Sequence, residues 1–202
     1  MITGTKFRIC RRLGPGVFEK CQTPKFAASQ ARRAARKSDK RPKQPTEFGL
    51  QLIEKQKIRF TYGVKERQFS NYVKDATEKG GANAAERLFE TLESRIDNVV
   101  YRLGLAHTRP LARQMVSHGH FTINGVKTTI PSYLVKVGDI IKVRDGSKGK
   151  TLFANVAAKT KEYTPPEWLK YDMEKLEAKV AGKAKKTDST LDFSTVLEFY
   201  SR

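Results

Sequence analysis

The sequence predicts an α+β protein made of three parts. Residues 1–46 are expected to form an extended basic N-terminal arm, and residues 47–91 and 151–202 a mostly helical, discontinuous domain. Residues 92–150 form an inserted unit of two helices followed by a small antiparallel sheet. Two observations predict this division: apolar residues recur at a helical period on both sides of the insert, and inside the insert the period becomes two around an Asn-Gly pair. The uneven charge of the chain separates the arm from the rest.

Positive charge is concentrated in two segments of this 202-residue chain. Forty Lys and Arg against 21 Asp and Glu give a net charge of +19, of which +10 lies in residues 1–50 and +6 in residues 92–150. Such an excess predicts a polyanionic partner, a nucleic acid before an anionic membrane. A membrane helix would carry large apolar residues opposite its charges, and residues 27–47 have none. Composition alone fits a solvated tail as well as a nucleic-acid arm, and RRAARK also fits an unspecific nuclear-localisation signal.

The sequence shows no membrane or secretory signal. It has no apolar run of about 18 residues, and the opening MITGTKFRIC has no apolar segment after its charges. Two cysteines, Cys10 and Cys21, cannot build a disulfide framework, which fits a reducing compartment. We therefore expect a cytoplasmic protein that makes no membrane contact.

Three helices are predicted between residues 47 and 93. The first begins near Glu47 and ends at Gly63, the second covers residues 65–79, and the third starts near Asn83. The apolar residues of these helices are expected to pack in the core; they are Phe48, Leu52, Ile53, Phe60, Phe69, Tyr72, Val73, Ala76, Leu88, Phe89 and Leu92.

Two further apolar segments follow the insert. The segment EWLKYDMEKLEAKV, after two prolines, is predicted to be helical. The residues expected to share one face of that helix are Trp168, Met173, Leu176 and Val180. The segment LDFSTVLEFYSR is apolar enough to need burial, most economically against residues 47–91, and this makes the helical domain discontinuous.

The insert itself contains two helices and two strand pairs. The first helix covers residues 95–103, and the second follows Thr108 as its N-cap and continues to about His118. Two strands surround Asn124-Gly125, the strongest short signal for a hairpin. A further strand pair is expected within SYLVKVGDIIKVRD, turning near its Gly-Asp pair.

Catalytic signals are poor. The chain has no phosphate-binding loop, nucleophile elbow, zinc-protease motif or dinucleotide fingerprint. His107, His118 and His120 cluster in the insert, but His-x-His without nearby cysteines or carboxylates is weak evidence for a metal. Solvent-exposed or phosphate-contacting roles fit these histidines better. We expect a protein that is not an enzyme and has no cofactor and no metal.

The second helix of the insert carries the clearest binding signal. Arg109 and Arg113 are four residues apart and share a face, with Gln114 and Ser117 beside them and Lys127 on the hairpin that follows. Guanidinium groups suit phosphate oxygens, so this surface predicts contacts to RNA. An ordinary solvated helix face is the alternative. The residues expected to face the core instead are Leu111, Met115 and Val116.

The insert, ESRIDNVVYRLGLAHTRPLARQMVSHGHFTINGVKTTIPSYLVKVGDIIKVRD, closely resembles the S4 RNA-binding domain. FGLQLIEKQKIRFTYGVKERQF before it, PPEWLKYD after it and the terminal EFYSR extend the resemblance to the bacterial-type family of small-subunit ribosomal protein S4. The resemblance implies a structural component of the small ribosomal subunit that binds small-subunit rRNA early in assembly. It also implies a position where mRNA enters the subunit, contact with ribosomal protein S5 and an influence on decoding accuracy.

The family and the charge together give the candidate RNA-binding residues, none of them catalytic. They are Arg8, Arg11, Arg12, Arg32, Arg33, Arg36, Lys37, Arg109, Arg113, Gln114, Ser117, His118, His120 and Lys127.

The chain departs from the family pattern in two places. Many relatives have four zinc-binding cysteines near the N-terminus, whereas here Phe7 and Phe26 stand at the first and fourth positions. Two thiolates cannot complete a tetrahedral site, so we expect the two aromatic rings to pack where the metal was, with Cys10 and Cys21 as small apolar fillers. Leu111 stands where relatives tend to carry Glu, so half of the capping box at Thr108 is missing.

Two other classes of protein use the same module. RNA-modifying and tRNA-charging enzymes attach it to a catalytic domain, but both flanks here resemble helical support. Free ribosome-associated factors of the heat-shock or rescue type are usually shorter and lack these flanks.

Overall fold

The computed structural model describes residues 5–35, 44–154, 163–185 and 191–201. The chain divides into two compact units, one formed by Met1–Leu88 with Asp188–Arg202 and the other by Phe89–Thr187. The α+β class is confirmed. Among the described residues, no helix has both the length and the apolar character needed to cross a bilayer.

The N-terminal part of the first unit is folded rather than extended. Helix α1 (Lys6–Leu13) leads through two 3-10 turns (Pro15–Val17 and Glu19–Gln22) into helix α2 (Pro24–Ala34). These elements bury a small core of their own, made of Cys10, Leu13, Val17, Phe18, Cys21 and Phe26. The prediction of an extended arm is therefore wrong for residues 5–35, because their apolar residues meet each other once the chain turns back on itself.

Two long helices follow in the first unit. Helix α3 (Glu47–Tyr62) begins at Thr46, whose Oγ1 accepts a hydrogen bond from the Gly49 amide at 3.2 Å, and ends at Gly63 with a φ of 64°. Helix α4 (Glu66–Gly80) buries the predicted face. Both helices are confirmed.

Helix α3 packs on two sides, which the sequence did not predict. Ile53 and Phe60 lie against the N-terminal core, whereas Phe48 is 53% exposed. The fully buried positions are Gln51, Lys55, Ile58 and Tyr62. Lys55 can occupy this buried side because it donates to Glu66. Gln51 likewise donates from Nε2 to Glu198 at 3.5 Å.

Helix α10 (Phe193–Ser201) packs against α3 and α4, as expected for the closing apolar segment. Glu66 accepts a hydrogen bond from Lys55 Nζ at 2.7 Å and another from the Tyr200 hydroxyl at 3.0 Å. Burial alone would raise the pKa of Glu66, but these hydrogen bonds lower it overall, so the carboxylate stays charged. The contact between Tyr200 and Glu66 thus joins the two chain segments that form the first unit.

The second unit begins within helix α5 (Ala84–Glu93) and continues through α6 (Ile96–Arg102) and α7 (Arg109–Ser117). A sheet of five antiparallel strands shares its core with α6 and α7. The strands are β1 (Phe121–Ile123), β2 (Val126–Thr128), β3 (Ile140–Val143), β4 (Leu169–Asp172) and β5 (Glu177–Val180), in the order β2-β1-β3-β5-β4. The inward side chains of this sheet, including Phe121, Ile141 and Ala178, share one core with Val99 and Met115 of the helices. Two short helices, α8 (Asp145–Lys148) and α9 (Thr151–Ala154), follow β3.

The first strands of the sheet agree with the sequence in part. Strands β1 (Phe121–Ile123) and β2 (Val126–Thr128) form the predicted hairpin, with Asn124 at φ 50° and Gly125 at φ 82°. The predicted pair of strands around Gly138 is wrong, because only β3 (Ile140–Val143) is a strand. The residues before it make a single bridge, between Leu134 and Arg95.

Strands β4 (Leu169–Asp172) and β5 (Glu177–Val180) replace the helix predicted for this segment. The hairpin turns at Leu176, with a φ of 51°, and at Asp172, whose Oδ1 accepts hydrogen bonds from the amides of Glu174 and Lys175. Pairing of β5 with β3 decides the outcome, since it buries Ala178 and Val180 together. Residues 151–202 are consequently not one helical segment, and residues 151–187 group with the second unit.

Candidate nucleic-acid interface

Helix α7 has the predicted orientation on the core. Thr108 Oγ1 accepts a hydrogen bond from the Leu111 amide at 3.3 Å, which confirms the N-cap. Met115 and Val116 are buried as expected. Leu111, the third residue expected in the core, is only half-buried, and Ala112 is buried instead.

The two arginines of α7 hold α6, a protein contact that the sequence did not predict. Arg113 donates from Nε to Asp97 Oδ2 at 2.7 Å, and Arg109 donates from Nε to Asn98 Oδ1 at 2.8 Å. The Arg109 guanidinium also lies 4.3 Å from the centre of the Tyr101 ring. Both guanidiniums thus already have protein partners.

These arginines belong to a network of charges on α5, α6 and α7. Asp97, only 2% exposed, also accepts two hydrogen bonds from Arg95, at 3.1 and 2.8 Å. Glu93, 1% exposed, accepts hydrogen bonds from Asn98 at 2.9 Å and from Arg102 at 2.8 and 2.7 Å. Buried carboxylates need such partners, because an unpaired buried charge is strongly destabilising. The arginines therefore have a structural role whether or not they contact phosphate.

The side chains left exposed on this surface are Gln114, Ser117, His118 and Lys127. Ser117 uses its hydroxyl to donate to the Arg113 carbonyl at 2.9 Å. Lys127 extends across Gly119, so closely that a Cβ there would collide with Lys127 Cε, and Gly119 has a φ of 68°. The left-handed backbone therefore favours glycine where the helix passes into the hairpin, and any side chain there would also displace Lys127. The Lys127 side chain thus lies beside a residue just beyond the C-terminal end of α7.

His120 is buried, which contradicts its predicted place among the RNA-contacting residues. It is 7% exposed, and its Nδ1 lies 2.9 Å from Ser147 Oγ, beside the Phe153 ring. Burial lowers the pKa of His120, and the charges of Lys150, His118 and Arg144 lower it further. The neutral imidazole is therefore a core residue of the second unit, whereas His118 remains exposed.

The pKa of His120 predicts a loss of stability in acid. The pKa of His120 in the folded protein lies below its ordinary value of 6.5. As the pH falls below 6.5, the unfolded chain therefore takes up the proton first, and the folded protein loses stability. Urea unfolding of the full chain between pH 7.5 and 5 should show this loss, and His120→Asn should reduce the pH dependence. His107→Asn, at an exposed position, is the control and should leave it unchanged. An unchanged pH dependence in His120→Asn would contradict the assignment.

The N-terminal unit supplies a second basic surface. Arg8, Arg11 and Arg12 share one exposed face of α1, opposite the side that buries Cys10 and Leu13. Arg11 Nε also donates to the Phe7 carbonyl at 3.0 Å. On α2 the exposed candidates are Arg32 and Arg33, in its last turn. Arg36 and Lys37 lie outside the described residues.

The residues at the family's cysteine positions do not fit a zinc ion. Cys10 and Cys21 are joined by a disulfide, so the expectation of two separate apolar fillers is wrong. Phe7 and Phe26 pack against each other with ring centres 5.2 Å apart, which confirms the predicted aromatic pair. Among the described residues, no group of three His, Cys, Asp or Glu side chains could hold a metal.

We expect the purified protein to contain no stoichiometric zinc and to keep its fold in a strong chelator. Elemental analysis and circular dichroism before and after chelation measure both. About one zinc per chain, lost together with structure, would overturn the expectation.

The chain belongs to the class of proteins that contain an S4 domain. Residues 94–141 match the family described as S4 domain, and residues 1–93 match the family described as ribosomal protein S4/S9 N-terminal domain. The small ribosomal subunit protein uS4 of Pelotomaculum thermopropionicum is 42% identical over 205 residues, which cover 99% of this chain and 98% of the relative.

Other relatives match this chain over the same share of its length. The uS4 proteins of Acetivibrio thermocellus and Clostridioides difficile are 43% identical over 209 residues and 42% identical over 205 residues. In both cases the match covers 99% of this chain and 98% of the relative. The chain belongs to the family of the small ribosomal subunit protein uS4. This confirms the resemblance seen in the sequence and the prediction that the chain is not an enzyme.

Proposed function

We propose that the protein is a structural component of the small ribosomal subunit and binds small-subunit rRNA directly. The observation that carries the proposal is the match to uS4 proteins over nearly the whole of both chains. The net charge of +19 and the exposed arginine face of α1 support an RNA partner. The protein acts in the cytoplasm, as part of the ribosome.

The proposed contacts come from both units. In the first unit they are Arg8, Arg11, Arg12, Arg32 and Arg33, and in the second they are Gln114, Ser117, His118 and Lys127. Arg109 and Arg113 contribute by holding α7 against α6 through Asn98 and Asp97, which positions this surface. We further propose that the protein helps to nucleate assembly and supports accuracy beside ribosomal protein S5, where mRNA enters the subunit.

Sedimentation and direct binding test the function. The tagged protein should remain with small subunits after a high-salt wash, and the purified protein should bind small-subunit rRNA in preference to an RNA of equal length and unrelated sequence. A free ribosome-associated factor would leave the subunits in the salt wash. Equal affinity for both RNAs, together with loss from the subunits, would overturn the proposal.

A further inference from the structure

The disulfide between Cys10 and Cys21 lies at the centre of the N-terminal elements. Cys10 is on α1 and Cys21 on the 3-10 turn Glu19–Gln22, with Cα atoms 6.4 Å apart. That separation is within the range that a disulfide spans with little movement of the backbone. The two side chains are 1% and 2% exposed. The disulfide therefore lies where many relatives of the family would bind zinc.

The core around this disulfide is too small to be very stable by itself. Besides the two cysteines it buries Leu13, Val17, Phe18 and Phe26, with Ile53 and Phe60 of α3 packed against it. Folded segments of this size commonly need a covalent or metal staple. The disulfide joins two residues that are 11 positions apart and supplies such a staple, because it restricts the unfolded chain far more than the folded one.

The same bridge fixes the proposed RNA-binding surface. Arg8, Arg11 and Arg12 lie on α1 within two residues of Cys10, on the exposed side of the helix. If α1 loosens, the three guanidiniums no longer share one rigid face. Only the ordered form then binds with full affinity, and the apparent affinity falls with the fraction of chains that have this form.

We propose that Cys10 and Cys21 form a reversible redox link that sets how tightly the N-terminal arginine surface binds rRNA. The proposal rests on the proposed rRNA binding and names a regulation of it. In a reducing compartment a protein disulfide is usually transient or redox-sensing rather than structural. The reduced protein then relies on rRNA itself to order α1, whereas the oxidised protein has it ordered beforehand.

The chemistry needs a small-molecule disulfide as the oxidant, such as oxidised glutathione. One cysteine thiolate attacks a sulfur of this disulfide, which forms a mixed disulfide and releases one small thiolate. The thiolate of the other cysteine then displaces the second small thiolate, so that the protein S–S bond replaces the external one. Two electrons pass to the external sulfurs, and the two protons given up by the cysteines end on the released thiols. Both cysteines are buried, so the exchange occurs when the N-terminal elements open locally.

The test compares oxidised and reduced full-length protein in two measurements. In the first, limited proteolysis of residues 5–35 should be about tenfold faster after reduction, because cleavage follows the population of the open form. In the second, the affinity for small-subunit rRNA should be about tenfold weaker after reduction, because it follows the fraction of chains that remain ordered. Cys10→Ala/Cys21→Ala is the control: it should resemble the reduced protein and respond to neither oxidant nor reductant.

The outcomes separate this proposal from the proposed function. Thiols that stay free in oxidised glutathione, or equal proteolysis and equal affinity in the two redox states, would overturn the redox link while rRNA binding still stands. A redox response in the double alanine variant would overturn it too, because the effect would then come from elsewhere. If neither redox state prefers small-subunit rRNA, the proposed function itself fails.

Discussion

Replacing Arg113 by Glu is expected to destabilise the second unit by about 3 kcal/mol, although the residue lies on a predicted RNA-binding face. Asp97 is buried, and Arg113 is one of the two cations that compensate its charge. The substitution removes one of these two cations and places a second carboxylate beside that of Asp97. For a unit of this size the midpoint of thermal unfolding should fall by roughly 10–20 °C.

The matched control is Gln114→Glu, one residue further along the same helix. Gln114 is exposed, so the added charge should change stability by only about 0.5 kcal/mol. Circular dichroism during heating measures both variants. An Arg113→Glu protein as stable as the wild type would show that Arg95 alone compensates Asp97. Charge reversal of Arg113 is for the same reason a poor test of RNA binding, because lost affinity would also follow from lost structure.

Replacing Arg8, Arg11 and Arg12 by Gln is expected to weaken rRNA binding about a hundredfold at 0.1 M salt. Each phosphate contact that is lost removes about 0.7–0.9 from the slope of log affinity against log salt, so the slope should fall by about two to three. Glutamine keeps the helix propensity of arginine, and the buried side of α1 is unchanged. Fluorescence binding titrations across a series of salt concentrations measure affinity and slope together.

A control with the same loss of charge is Lys65→Gln/Lys74→Gln/Lys79→Gln, at three exposed positions before and within α4. If α1 contacts phosphates, this control should lose only the small part of the affinity that depends on overall charge. Equal losses in the two triple variants would show that net charge, and not the face of α1, determines binding.

Local sequence signals predicted much of the fold, because several elements begin and end at residues with one strong preference. Gly63 ends α3 and Asn124-Gly125 turns the first hairpin, and neither depends on distant parts of the chain. The segment 169–180 was mispredicted because its state depends on β3, which lies some 30 residues earlier in the chain. Its apolar residues suit a helix or a strand until a pairing edge is available.

The shared helix face of two candidate arginines was predicted, but their contacts were not. A spacing of four residues placed Arg109 and Arg113 on one face of a helix. It could not show that Asp97, sixteen residues earlier, would lie against that face. His120 was misplaced for a similar reason, since its partner Ser147 comes from a helix that the sequence did not predict.

The packing of α10 against α3 has a consequence for the order in which the protein folds during synthesis. Phe89–Thr187 is one continuous stretch and can fold as soon as it has left the ribosome that makes it. The first unit must wait for Phe193–Ser201, which begins about 130 residues after α3 ends at Tyr62. At about 5–20 residues per second, α3 spends roughly 7–26 s without its partner helix. The segment that is made first is thus completed last, and during this delay the side of α3 that buries Lys55 and Ile58 is open to chaperones.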